Sequence, residues 1–285
     1  IEQVKDAHPT LVEAIEVWLY QHGALDDLET DPDETPERQI GPYTLLERIG
    51  RGGFGDVYVA EQKEPVHRRV ALKLIKIGMD SGAILKRFFQ ERQVLAALNH
   101  EAIAKIFDGG VTTRGRPYFV MEYVDGGKPI TDYCDEHKLS IHERIRLFQL
   151  VCQGVQHSHQ KGILHRDLKP SNILVTRVDD RHVPKIIDFG IAKDTSGDGS
   201  KETVYTIERQ MLGTPEYMAP EQAAGEPVLT TAVDTYALGV VLYELLAGRL
   251  PFPSEQLRKK THGDVVRVLK EQDPKKPSTK IHDLE

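Results

Sequence analysis

The chain has 285 residues, enough for one or two domains with a sizeable core. It is 39% hydrophobic and 28% charged, with a formal net charge of -7 and a pI of about 6.0; no broad basic surface exists, so no nucleic-acid partner is expected. Its two cysteines, Cys134 and Cys152, stand in no motif spacing, which argues against a disulfide framework or a zinc site and fits a reducing compartment.

No membrane segment is expected. The longest apolar run, Tyr236 to Ala247, is interrupted by Glu244 and falls short of the roughly 20 residues a spanning helix needs. No signal peptide opens the chain, and it begins at Ile1 without methionine, so it reads as a fragment of something longer. A membrane anchor outside the fragment stays open.

In chain order, residues 7 to 22 read as a helix: Thr10 and Glu13 make a capping-box pattern, and Leu11, Ile15 and Trp18 share one face. It is either an accessory element packed on the main domain or a regulatory or dimerising segment. An acidic stretch with Pro32 and Pro36 follows and reads as a linker. Short strands come next. Tyr43-Thr-Leu-Leu, Val57-Tyr-Val-Ala and Val70-Ala-Leu-Lys-Leu-Ile are rich in β-branched and aromatic residues. Ala83 to Asn99 reads as a helix with Phe88, Leu95 and Leu98 on its inner side, and Pro117-Tyr-Phe-Val-Met-Glu-Tyr-Val returns to strand. Ser140 and Glu143 open a further helix with a stripe of Ile141, Ile145, Phe148, Cys152 and Val155. Thr231 to Ala247 is an apolar helix that stops at Gly248. Strands first and helices after indicate an α+β architecture with two unlike halves.

Gly50-Arg-Gly-Gly-Phe-Gly-Asp-Val is a phosphate-loop pattern, since glycines let a backbone approach phosphate oxygens closely. A strand follows it rather than a helix, which rejects a dinucleotide-binding reading, and no Gly-Lys-Ser/Thr follows any glycine loop. Lys73 sits inside an apolar strand pattern, where desolvation is costly unless an anion meets it. Its expected partners are ATP phosphates and one carboxylate of the following helix, for which Glu91 is the candidate; Glu101 and Glu47 fit less well. In His165-Arg-Asp-Leu-Lys-Pro-Ser-Asn, Asp167 can accept the proton of an incoming hydroxyl, Lys169 can neutralise a transferring phosphoryl group, and Asn172 can offer a neutral oxygen to a metal ion. Asp188-Phe-Gly adds a hard carboxylate oxygen for Mg²⁺. Phosphoryl transfer needs in-line positioning and charge neutralisation above all, and these are its parts.

The glycine loop, Val70-Ala-Leu-Lys, His165-Arg-Asp-Leu-Lys-Pro-Ser-Asn, Asp188-Phe-Gly and Ala219-Pro-Glu stand in the order of the protein-kinase signature set, so residues 43 to 252 resemble a protein kinase domain. Lys169 and Gly213-Thr-Pro-Glu-Tyr-Met-Ala-Pro-Glu resemble the serine/threonine branch, and the detail is similar to bacterial kinases of the eukaryotic-like type. The resemblance implies a bilobal fold: an antiparallel β N-lobe with one major helix, and a mainly helical C-lobe. With the helical extension over 1–25 and the acidic linker over 26–40 read above, it implies an N-lobe with hinge over 41–124 and a C-lobe over 125–285. It implies ATP in the cleft, met by Ile49, Gly50, Gly52, Gly53, Gly55, Val57, Ala71 and Lys73 from above. Met121 as gatekeeper, the hinge from Glu122 to Val124, Leu174 and Asp188 complete that set. Asn172 and Asp188 would hold the metal, Thr214 would brace Asp167 and Lys169, and Asp234 would hold the catalytic loop. The ribose contact is left open between Asp125 and Asp132.

Arg166 beside the catalytic acid points to control by an anion. Among Thr195, Ser196, Ser200, Thr203, Tyr205 and Thr206, the resemblance favours phosphorylation at Thr206, with Thr203 second. Protein substrates, a cytoplasmic location for the domain, and a homodimer for autophosphorylation are the accompanying expectations. The family's glutamate, here Glu221, has no recognisable arginine partner downstream, so the C-lobe reads as incomplete. The function expected is a serine/threonine protein kinase. The alternatives are a nucleotide-binding pseudokinase or scaffold, or an inactive fragment, and intact Lys73, Asp167, Asn172 and Asp188 argue against the first of these.

Overall fold

The computed structural model describes residues 38–52, 55–75, 97–189 and 214–278. The residues read as the N-terminal helix, most of those read as the linker, Glu91, and the segment with Thr203 and Thr206 lie outside the described residues.

The N-terminal half is a six-stranded antiparallel sheet. Its strands are β1 (Gln39–Ile40), β2 (Tyr43–Gly52), β3 (Gly55–Gln62), β4 (Arg68–Ile75), β5 (Ile106–Val111) and β6 (Pro117–Glu122), in the order β1-β2-β3-β4-β6-β5. The sheet thus begins at Gln39, inside the stretch read as linker, because Ile40 is apolar and packs into the core beside Tyr43. Strand β4 is central and covered on both faces. That is why Val70, Ala71 and Leu72 are buried in succession rather than alternately. One face packs Ile40, Tyr43, Ala60, Leu72 and Tyr118; the other gathers Ala71, Ile75, Phe119 and Met121, with Val57 against them.

The C-terminal half is mainly helical, with α1 (Ile130–Glu136), α2 (Ile141–Gln160), α3 (Pro220–Ala223), α4 (Ala232–Ala247), α5 (Ser254–Arg258) and α6 (His262–Glu271). Ser140 caps α2 in a full capping box, its hydroxyl accepting from the Glu143 amide while the Glu143 carboxylate accepts from the Ser140 amide. Helix α4 ends where Gly248 turns left-handed at φ 67°.

Three sequence expectations are corrected. Ile141 is 53% exposed at the first turn of α2; the buried face is Leu147, Phe148, Val151, Gly154, Val155 and Ser158. Ala97 to Asn99 are turn and coil rather than the end of a helix, although Leu98 is buried as expected. The C-terminal half also has a sheet of its own, β7 (Lys128–Pro129), β8 (Ile173–Val178) and β9 (Arg181–Ile186), in that order. Here Ile173 and Val175 alternate inward as half-buried strands do, so the signal was present. No described helix is long and apolar enough to cross a membrane.

The halves meet through the strand-to-loop passage at residues 122–127 and through the segment before β5. Ile103 bridges Ile186 of β9, with Ile186 N donating to Ala102 O at 2.7 Å and Ala104 N donating to Ile186 O at 3.0 Å. Gly154 of α2 permits this approach, since a Cβ there would lie 2.9 Å from Ile186 Cδ1 and 3.2 Å from Ala102 Cβ.

Candidate active site

Strands β2 and β3 form a hairpin over the cleft, pairing Gly50 with Val57 and Gly52 with Gly55. Gly53 lies outside the described residues. Ile49 stands 48% exposed on the rim. Below the hairpin, Lys73 is paired with Val57 on one side and Phe119 on the other, and Ala71 with Met121. The sheet therefore brings Val57, Ala71 and Met121 to one apolar surface beside the lysine. Val124 is buried where the chain leaves the sheet, and Gly127 N donates to Val124 O at 3.0 Å in a tight turn. Asp125 is exposed in that passage and Asp132 is exposed in the first turn of α1.

Lys73 Nζ lies 2.8 Å from Asp188 Oδ1, with both side chains mostly shielded. The structure thus joins the upper strand to the Asp188-Phe-Gly segment directly. Asp188 sits at φ 56° and Arg166 at φ 62°, a left-handed backbone that costs non-glycine residues about 1 kcal/mol each and persists only where surroundings hold it. At Arg166 the restraints are visible. Its amide donates to Asp234 Oδ1 at 2.7 Å, and its carbonyl accepts from Gln222 Nε2 at 2.8 Å.

Around Asp167 the partners are close. Lys169 Nζ lies 3.1 Å from Asp167 Oδ2, and Asn172 Nδ2 donates to the same oxygen at 3.0 Å and to the Asp167 carbonyl at 2.8 Å. Lys169 also donates to Thr214 Oγ1 at 3.3 Å, tying the residues before α3 to the catalytic loop.

Asp234, fully buried on α4, supports the loop from behind. Its carboxylate accepts from the amides of His165 (2.8 Å) and Arg166, and His159 Nε2 lies 2.8 Å from it. Burial pushes the Asp234 carboxyl up, but the His159 hydrogen bond, the nearby His165 and the two amides outweigh it and hold it below the usual carboxylate range. His165 is likewise buried, and burial lowers its pKa, so it is neutral. Its Nε2 faces the Ile187 carbonyl at 2.9 Å, an acceptor only, so that nitrogen carries the proton and Nδ1 accepts from the Asp167 amide. The His165 ring packs on Phe189, centroids 4.7 Å apart, which links the catalytic loop to Asp188-Phe-Gly.

The protein kinase domain model matches residues 43–284. The chain belongs to the protein kinase domain family. Within it the chain resembles bacterial kinases of the serine/threonine type. It is similar to serine/threonine-protein kinase Pkn1 of Myxococcus xanthus, 40% identical over 221 residues that make up 77% of this chain and 31% of that protein. It is also similar to serine/threonine-protein kinase PknB of Mycobacterium tuberculosis strain H37Rv, 38% identical over 226 residues, or 78% of this chain and 35% of that protein. The chain therefore spans about a third of the length of the curated relatives it matches. Among solved structures, the Mycobacterium tuberculosis PknI kinase domain resembles it with a TM-score of 0.62 at 27% identity, over 86% of this chain and 84% of that one.

The kinase family implies ATP and a divalent cation. The donor set fits: with the Asn172 nitrogen committed to Asp167, its carbonyl oxygen is the end left for a cation, and Asp188 adds a carboxylate. Two protein oxygens completed by phosphates and water suit a small hard cation, and among the described residues no cluster of His, Cys, Asp and Glu offers a closed metal cage.

The motif reading did not reach Gln222, His159, Lys185 or the side chain of Glu122. Gln222 follows Ala-Pro-Glu directly, and His159 lies in Gln-His-Ser-His, but each acts through a contact more than 50 residues away in sequence. Among the downstream arginines, Arg258 on α5 pairs with the buried Glu216, Nε to Oε1 at 3.2 Å. Cys134 and Cys152 are both free, and burial pushes the Cys134 thiol up to about 11, which leaves it inert.

Proposed function

We propose that this chain transfers the γ-phosphoryl group of ATP, bound with Mg²⁺, to serine and threonine hydroxyls of protein substrates. The observation that carries the reading is the convergence on Asp167. Lys169 and Asn172 both hold its Oδ2, and Thr214 anchors Lys169. When bound, ATP supplies the phosphoryl group, and the cation held by Asn172 and Asp188 offsets charge on the phosphate oxygens.

The chain's own residues supply the rest. Asp167 orients the acceptor hydroxyl and takes its proton at a carboxylate oxygen, and two donors keep that carboxylate in a fixed rotamer. Lys169, held between Asp167 and Thr214, brings positive charge to the side where the acceptor enters. Lys73 rests on Asp188 and is placed to exchange that contact for phosphate, with Glu91 proposed as its further partner. The glycine hairpin covers the phosphates, while Val57, Ala71, Met121 and Leu174 enclose the base and the backbone from Glu122 to Val124 meets its edge. Free thiols and dependence on ATP favour the cytoplasm as the working compartment.

Transfer of labelled phosphate from Mg-ATP to a generic protein substrate tests the reading. Asp167→Asn keeps the shape and removes the base, so the rate is expected to fall by roughly 10²- to 10⁴-fold with unchanged folding. A folded parent chain that binds nucleotide yet transfers no more phosphate than Asp167→Asn would favour the scaffold reading.

A further inference from the structure

We propose that the ion pair between Glu122 and Lys185 is a latch that positions the nucleotide, by fixing the hinge to the strand that delivers Asp188. The inference rests on reading the cleft as the ATP site.

Glu122 is the last residue of β6, where the sheet passes into the hinge. One carboxylate oxygen lies 2.8 Å from Lys185 Nζ, and the other accepts from the Lys105 amide at 3.1 Å. The Glu122 amide in turn donates to the Lys105 carbonyl at 2.8 Å. The hinge residue is thus bound through both backbone and side chain to the segment entering β5, and through its side chain to β9.

Lys185 is an unusual residue for its position. It pairs with Leu174 across β8 and β9, so the two side chains share a face, and Leu174 is the residue proposed for the cleft floor. Only 14% of the Lys185 side chain and 27% of the Glu122 side chain are exposed, so salt screens the pair little. A shielded lysine at the floor of a cleft needs a carboxylate, and Glu122 supplies it.

The geometry beyond Lys185 gives the pair its consequence. Ile186 is hydrogen-bonded to Ala102 and Ala104, Ile187 N donates to Asn172 O at 2.9 Å, and Asp188 follows. Only Ile186 and Ile187 therefore separate the hinge latch from the acid that contacts Lys73, and both are tied through their backbone. Binding a ligand to an already ordered hinge avoids the cost of ordering it on arrival. The Asp167 group has anchors of its own in Asp234 and Thr214 besides its contact with Ile187, so the pair acts on nucleotide affinity more than on transfer.

Binding of a non-hydrolysable ATP analogue tests this without relying on turnover. Lys185→Met and Glu122→Gln are each expected to raise its dissociation constant about tenfold, with the double variant within about twofold of the weaker single one, because both remove one shared contact. Lys185→Arg restores binding to within about threefold of the parent, and steady-state kinetics of Lys185→Met show a raised KM for ATP with kcat changed less than about twofold. Thermal melting confirms that each variant is folded. Unchanged affinity in either single variant, or losses that add in the double variant, overturns the latch alone. A parent chain that binds no nucleotide overturns both the latch and the kinase reading.

Discussion

A methyl group added at Gly55 would sit 2.2 Å from the Leu74 carbonyl oxygen, closer than any real contact. The collision is with backbone of β4, one residue from Lys73, so the neighbour cannot simply rotate away. Gly55→Ala is expected to push the hairpin off β4, costing about 1–3 kcal/mol of stability and weakening nucleotide binding together. Urea unfolding combined with analogue binding checks both, and a variant as stable as the parent would contradict the packing. This glycine was legible in the sequence as part of a phosphate loop, but for a different reason: there it stood for room beside phosphate, whereas in the fold it permits strand-to-strand approach. Lys73, Asp167, Lys169, Asn172 and Asp188 were legible because each falls in a short motif whose spacing is local. The contact between Glu122 and Lys185 was not, since a lone glutamate and a lone lysine 63 positions apart carry no spacing signal, and only the approach of β9 to the segment before β5 makes them neighbours.

Helix α4 shows how an element places chemistry it does not itself perform. Its apolar side joins the core through Ala237, Val241 and Leu245, as the continuous hydrophobic run indicated, and this fixes the first turn behind the catalytic loop. There Asp234 holds two loop amides and His159, in a site with no exposure to solvent. Asp234→Asn turns one acceptor oxygen into a donor facing donors, and at neutral pH it is expected to cost about 3 kcal/mol, the scale of breaking a buried charged contact. The carboxyl is held below its ordinary value in the folded protein. Its contribution is therefore full above the unfolded pKa, near 4, and is lost as pH falls through the depressed folded value. The stability gap between parent and Asp234→Asn should be constant from pH 8 to about 5 and narrow under more acid conditions. Chemical denaturation across that range measures it; a gap that widened as pH fell would contradict the assignment. The strands β7 to β9 belong to the same scale. The alternation of β8 was present in the sequence, but β8 and β9 lie between helices, where the segment was read for its catalytic motif rather than for its periodicity.

At the scale of the molecule, separate clusters must hold together. One lies in the N-terminal sheet, one around α1, α2 and α4, and one under α3, α5 and α6. The third cluster meets the site through residues 215–217, which follow Thr214 and pack on α4 and α5. Glu216 is the polar link in that contact. Its side chain is 1% exposed, Oε1 meets Arg258, and Oε2 is buried without a hydrogen-bond partner among the described residues. Glu216 carried no signal in the sequence, since only the packing of α5 shows that this carboxylate is enclosed. Arg258 is itself 64% exposed, so Arg258→Ala is expected to cost about 1–2 kcal/mol by leaving the buried Glu216 without its cation, whereas Glu216→Gln, which removes the charge and keeps the shape, should cost less than about 1 kcal/mol. Combining the two should recover most of the arginine variant's loss, since no buried charge is then left unpaired. Because the loosened segment carries Thr214, the partner of Lys169, phosphate transfer should fall in Arg258→Ala and return in the double variant. Melting and transfer measured on the three variants decide it; an Arg258→Ala protein as stable and active as its parent would show that the Arg258 contact does not hold the segment.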